Sequence, residues 1–328
     1  MRALAANVKT HADSSGELHE PRWVMRSAFQ LLVFGLAQVE ALLAAAVYRG
    51  WIWLAVLLVI VASHLMHGLL IGLHEASHGM LRENRKFNEF DGIVMGMLSL
   101  FSFSLYRSVH QTHHAHLTAE RDYEFWPLTQ TSLPRWARRL AAFCELNLGL
   151  IFTPLIFLRA FLIPHSPIRS RKVRRRIWWE LALTVVTWTA IVWTVAAFDW
   201  WKYFLWLYLA PAFVAANLQS WRKYIEHVGL TGTTVNAATR SIVAKSWLGR
   251  VVAFTLLHEP FHGIHHQRSG LPHFVVPQHT DRLVPQHPEE RIPYASYREA
   301  LLDLLRSLSD PHVGPQWRTH PPAARFRT

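Results

Sequence analysis

"WIWLAVLLVIVASHLMHGLLIGLHEASHGML", residues 51–81, decides the fold. Residues 51–73 contain no Asp, Glu, Lys or Arg, and about 20 apolar residues suffice to cross the hydrocarbon core of a bilayer. The run ends on His74, Glu75 and His78, ligand-type residues with nothing apolar about them. Four more apolar stretches lie at about 29–48, 141–163, 177–198 and 200–217, with a shorter one at 91–106. One such run is compatible with a buried soluble helix; several neighbours in 328 residues, 51% of them hydrophobic, predict an all-α integral membrane protein. There is no internal repeat and no low-complexity tract.

The net charge of +12 raises the question of nucleic acid, and the position of the basic residues answers it. "RSRKVRRR", residues 169–176, stands directly before the apolar run 177–198. Such juxtamembrane clusters mark cytoplasmic loops facing anionic lipid. No nucleic-acid-binding module accompanies them, so no nucleic-acid partner is expected. Cys144 is the only cysteine, which excludes an intramolecular disulfide and a cysteine-ligated iron–sulfur cluster within the chain. Residues 1–28 carry His11, Asp13, Glu17 and Glu20 without the apolar core of a secretory signal, and read as a polar cytoplasmic tail.

With that tail cytoplasmic, the first apolar run crosses outward and the second returns, bringing His74 and His78 to the cytoplasmic face. The basic loop belongs on the same side, so 141–163 is not expected to cross, and Pro154 is expected to break it. The run at 91–106 is short for a span and returns His110 to the cytoplasm. Four transmembrane helices in two hairpins follow, the second hairpin turning near residues 198–201, with a cytoplasmic helical cap carrying a histidine-rich dimetal site. Residues 29–280 form the membrane catalytic domain. In 281–328, "SYREALLDLLRSL" opens with Ser296 three residues ahead of Glu299, a capping box, and predicts an amphipathic helix on the cap or at the lipid surface.

Three histidine clusters carry the chemistry: His74-x3-His78, His110-x2-His113-His114 and His262-x2-His265-His266. Residues three or four apart share a helix face, so each cluster presents its imidazoles to one point. Pro260 is acceptable at the first position of a helix bearing the third cluster, with Glu259 extended before it, so the cluster can occupy that helix's opening turns. The first cluster also matches the HExxH of zinc proteases. A zinc site uses four ligands in total, and eight clustered histidines exceed that; they suit two metal ions, for which imidazole can bind iron as well as zinc. Glu75, Asp122, Glu124 and Glu226 lie near the clusters and are candidates to accept the outer N–H of ligating imidazoles. The isolated His64, His67, His116 and His165 read as hydrogen-bonded or interfacial residues. Neutral imidazole is the ligating form, so metal binding should weaken as pH falls.

The clusters, their order and the hydrophobic hairpins resemble the membrane fatty acid desaturase superfamily of histidine-box diiron enzymes, over most of the chain. "HQTHHAHLTAERDYEFW", "PFHGIHHQRSGLPHFVVP" and the closing "DPHVGPQW" (310–317) support the likeness. The resemblance implies two iron ions held by His74, His78, His110, His113, His114, His227, His262, His265 and His266. His227, in "YIEHVG", matches a further ligand between the last span and the third box. Members carrying an asparagine just ahead of the third box differ from this chain, which has Leu257 and His258 there, and leave open whether His258 is a ligand. Dioxygen is the implied co-substrate, a lipid or fatty acyl chain the implied substrate, and a ferredoxin or cytochrome b5 type protein the implied electron donor. Desaturation of an acyl chain is the leading expectation. A lipid or carotenoid hydroxylase or ketolase fits the same boxes, and a membrane metal-binding or transport protein is the alternative from another class, for which polar residues along several spans are expected.

Overall fold

A computed structural model describes residues 27–319. The polar tail at 1–28 therefore lies almost wholly outside the described residues. Among them the chain is helical, with no strand and one isolated bridge between Ile242 and Tyr294.

Helices α1 (Ala28–Arg49) and α2 (Ile52–His78) form a hairpin, and each is long and apolar enough to cross a membrane. Gly50, in the left-handed region at φ 73°, closes α1, and Trp51 N–H donates to Ala46 O at 2.9 Å. Lipid-type side chains such as Trp53, Leu57 and Ile60 cover the first half of α2 and are exposed, while most of the second half, from Ala62, is buried. Burial there needs close approach. A Cβ at Gly72 would meet the Phe29 ring at 2.7 Å, and one at Gly68 would meet the Thr255 carbonyl oxygen at 2.5 Å.

Helices α3 (Arg85–Leu98) and α4 (Phe103–Ala115) meet at 100°, so the 91–106 run is a sharp bend and not one straight element. The 141–163 run is likewise divided, into α5 (Arg135–Asn147) and α6 (Gly149–Leu162). The break falls at Leu148, not at Pro154, which sits inside α6. Tertiary contact places it there: Gly149 N–H donates to Asn217 Oδ1 at 2.9 Å, and a Cβ at Gly149 would meet Ser220 Oγ at 2.6 Å and Ala216 O at 2.8 Å.

Helix α7 (Arg171–Ala197) is the third long apolar helix. A short helix, Trp201–Phe204, then passes through a π-helical turn, Leu205–Leu209, into α8 (Ala210–His227), which packs along α2. The expected element at 200–217 thus continues a further ten residues, ending on a histidine. After α8 come α9 (Trp247–Thr255), α10 (His262–Gln267) and α11 (Tyr297–Ser307). Ser296 Oγ accepts from Glu299 N–H at 3.3 Å and Glu299 Oε2 from Ala295 N–H at 3.2 Å, so the capping pair forms with the return bond one residue early. Ala300 and Leu304 of α11 are fully buried in a cluster with Tyr224, Ile225 and Val228, which puts α11 on the protein. Helix α9 presents an open apolar face, with Trp247, Leu248 and Val251 exposed.

One buried carboxylate joins a long helix to the second histidine box. Glu180 of α7 accepts from Ser102 Oγ (2.7 Å), Ser104 N–H (2.8 Å) and Ser104 Oγ (2.7 Å), and so fixes the N-terminus of α4. Arg176 Nε donates at 2.8 Å to Oε1, the oxygen that also accepts from Ser104 Oγ. Stranding a buried donor costs about 1–3 kcal/mol, and Glu180→Ala strands more than one. We expect this variant to lose several degrees of thermal stability in detergent and part of its bound metal, while Glu180→Gln loses less; equal stability of Glu180→Ala and the unmutated protein would contradict the role.

Candidate metal centre

Helix α2 stops immediately after its histidine pair because Gly79 adopts φ 78°, with Gly79 N–H donating to Ala76 O and Met80 N–H to Glu75 O, both at 3.0 Å. Helix α4 ends one residue after His114, and α8 ends on His227 itself. Three helix C-termini therefore converge where the imidazoles collect. The negative ends of their helix dipoles favour a cation.

The boxes separate into two groups. In the first, one ligand atom each from His74, His78, His110, His114 and His265 lies within 4.8 Å of all the others. His110 Nε2 stands 3.0 Å from His78 Nε2 and 3.1 Å from His114 Nε2, and His265 Nε2 is 3.2 Å from His114 Nε2. His113, His227 and His266 converge in the second group. His262 joins them, its Nε2 being 2.7 Å from that of His227 and 3.0 Å from that of His266. All nine histidines named from the sequence fall in these groups. His258 falls in neither; it stacks on His273 with ring centroids 5.9 Å apart.

Tautomers test whether metal fits. His227 Nδ1 faces the carbonyl oxygen of Ala238 at 3.1 Å and His262 Nδ1 faces Glu259 Oε1 at 2.9 Å, so both Nδ1 atoms carry the proton. Their Nε2 atoms, 2.7 Å apart, are then bare lone pairs pointing at one another. The same holds for His113, whose Nδ1 donates to Asp122 Oδ2 at 2.7 Å, and for His110, whose Nδ1 donates to Glu124 Oε2 at 2.9 Å. His74 Nε2 is buried with no partner. Crowded, unprotonated nitrogens repel unless a cation sits among them, and metal–nitrogen bonds near 2.0–2.1 Å bring neighbouring ligand atoms to about this spacing. The residues fit two metal ions.

Carboxylates hold the rings from outside. Asp122 also accepts from Thr118 N–H (3.0 Å) and Glu124 N–H (3.2 Å), which ties its loop around the second box. The C-terminal segment braces that loop: Val313 N–H donates to Leu128 O at 3.1 Å and Trp317 Nε1 to the same oxygen at 3.0 Å. Glu75 and Glu226, by contrast, hold no outer N–H. Glu75 Oε2 has no partner, and Glu226 pairs with Arg222 at 2.6 Å while lying 3.6 Å from the inner Nε2 of His262.

The third box departs from its expected local geometry. Helix α10 begins at His262, so Pro260 precedes the helix and is not its first residue. Leu257 and His258 occupy the left-handed region at φ 47° and 56°, and this reversal carries Glu259 inward. Glu259 and Arg222, buried and 2.7 Å apart, are site residues that sequence reasoning does not single out. Their spacing, i and i+3 to His262 and i and i+4 to Glu226, is the one signal that could have found them. Burial opposes ionisation of Glu259, but the adjoining His74 and Arg222 outweigh it and hold the carboxyl well below its usual range.

Burial lowers His262 and His258 to about 4, and lowers His273, helped by His258, to about 3. In the unfolded chain these rings titrate near 6.5. The unfolded state therefore binds more protons below that pH, and stability present above about pH 6.5 is lost as pH falls towards the folded values. Thermal midpoints of the metal-free protein in detergent should fall steadily from pH 7 to pH 4.5; a flat profile would exclude neutral buried rings.

The sequence matches the family model described as fatty acid desaturase over residues 18–298. A search of curated proteins gives no significant match. The matched span takes in all three boxes and His227, which the fold gathers into one buried centre, and the chain belongs to the fatty acid desaturase family.

Proposed function

We propose that this protein uses two iron ions and dioxygen to oxidise an unactivated C–H bond in a lipid tail, acting as a fatty acyl desaturase. One observation carries the reading: a mainly apolar cavity of about 200 Å³ approaches the imidazole centre and is separated from it by Tyr106 and Glu124, both in contact with His110. Tyr106 and Glu124 line its inner end; the Tyr106 ring stacks on His110 at 5.4 Å, and Glu124 holds His110 Nδ1. Leu36, Met66 and Leu70 line the part further along α1 and α2. Met66 precedes His74 by eight residues, or about 12 Å of helix, so the cavity has the length and polarity for a stretch of hydrocarbon.

The iron pair supplies, when bound, an oxidising power that no side chain has. The nine histidines would hold it, Asp122 and Glu124 orient the rings of His113 and His110, and the mainly apolar wall excludes water and positions one segment of chain. In the net reaction two adjacent carbons lose two hydrogens and become an alkene. Dioxygen becomes two waters, taking up two further electrons and two protons. The electrons come from an external donor of ferredoxin or cytochrome b5 type, since Cys144 alone cannot hold a cluster.

The membrane reading is of four spans, α1, α2, α7 and the helix leading through α8, with the histidine centre on the cytoplasmic side. Exposed Phe198, Trp200 and Trp201 at the turn after α7, and exposed Arg171, Lys172 and Arg175 at its start, support opposite interfaces for its two ends. A transport reading is disfavoured by the cavity, whose wall is mainly apolar. Mass spectrometry of lipids from cells expressing the protein with iron and a reductase tests the proposal. Acyl chains lacking two hydrogens are expected; an added oxygen would make it a hydroxylase, and unchanged acyl chains beside an oxidised carotenoid would refute the acyl reading.

A further inference from the structure

Asp122 and Glu124 each hold one imidazole, and both of those rings come from the second box. Glu259 is placed differently. Its Oε1 is 2.9 Å from Nδ1 of His262, in the second histidine group, and its Oε2 is 3.1 Å from Nδ1 of His74, in the first. The His262 contact is a full hydrogen bond, whereas the His74 contact is bent and chiefly electrostatic. Arg222 Nη1 grips the carboxylate at 2.7 Å while also pairing with Glu226, which leaves Glu259 little freedom to favour one ring over the other. The whole assembly is buried.

We propose that Glu259, held by Arg222, is a positioning residue that spans the two metal subsites and couples their occupancy. This rests on the two-metal reading above. A carboxylate facing Nδ1 fixes the proton on that nitrogen, leaves Nε2 bare for metal and raises its basicity. One rigid group doing this for a ligand of each subsite means that displacing it loosens both. An amide cannot replace it: glutamine has one acceptor oxygen, and its NH2 would face either an imidazole N–H or the Arg222 guanidinium. Aspartate keeps the charge opposite Arg222 but is one methylene shorter and cannot reach both rings.

The test is iron titration of the purified, metal-free full chain in detergent, reading iron per chain and Mössbauer spectra, with circular dichroism as the check of folding. The unmutated protein should take up two irons. Asp122→Asn and Glu124→Gln should each weaken one of the two uptake steps about 10–100-fold and leave the other unchanged. Glu259→Gln should weaken both steps, and Glu259→Asp, which preserves the ion pair and decides the matter if the glutamine variant does not fold, should do the same. If either glutamate variant leaves one step at the unmutated affinity, the coupling role is overturned. Failure of the unmutated protein to bind two irons would instead overturn the two-metal reading.

Discussion

Replacing His113 or His265 by alanine should abolish lipid oxidation and lower bound iron, whereas His165→Ala should do neither. His113 belongs to the second histidine group, 3.3 Å from His266 through Nε2, and is anchored behind by Asp122. His265 belongs to the first, 3.2 Å from His114. Each replacement removes a proposed ligand and leaves a void in a buried cluster. Losing only an outer partner of a ligating histidine costs about 10–100-fold, so losing the ligand should cost at least about 100-fold in turnover. His165 is exposed and outside both groups. Iron analysis and product formation on the same preparations check the outcome; equal behaviour of all three variants would remove the distinction between ligand and bystander.

Ala216→Phe should produce the opposite pattern, with iron retained and oxidation of long acyl chains lost. Ala216 lines the cavity on α8, about three turns before His227, and its backbone packs against Gly149. A phenyl ring there fills space the substrate needs without touching an imidazole. Overpacking costs about 1–3 kcal/mol where no space exists, and the cavity gives the ring somewhere to go. Displacing the reacting carbon by about 1 Å is enough to cost about 100-fold, so a loss of that order in turnover is expected. Two irons per chain with unimpaired turnover would mean that the hydrocarbon does not occupy this cavity. Together the two experiments separate metal assembly from substrate placement.

Much of the molecule is legible in its residue order. The apolar runs at 29–48, 51–73 and 177–198 form long helices because a bilayer-length, predominantly apolar stretch has few other ways to satisfy its backbone. The eight boxed histidines are legible because spacing of three and four survives translation into a helix face, and His227 only through the family resemblance. Asp122 and Glu124 are legible as ring holders because a short loop keeps them near the second box. Less is readable where local preference competes with packing. Pro154 suggests a break, yet the break lies at Leu148, where Gly149 must press against α8. Pro260 suggests a helix start, yet two left-handed residues ahead of it turn the chain so that the helix begins at His262.

Hydropathy and periodicity are local properties, so the order of residues alone dictates helices long and apolar enough to cross a membrane and imidazoles in helical register. Packing alone settles how those imidazoles divide into two groups, that Arg222 and Glu259 stand among them, and where the apolar cavity ends. Those contacts join residues as far apart as His74 and Glu259, and their partnership arises only when α2, α4, α8 and α10 pack around one point.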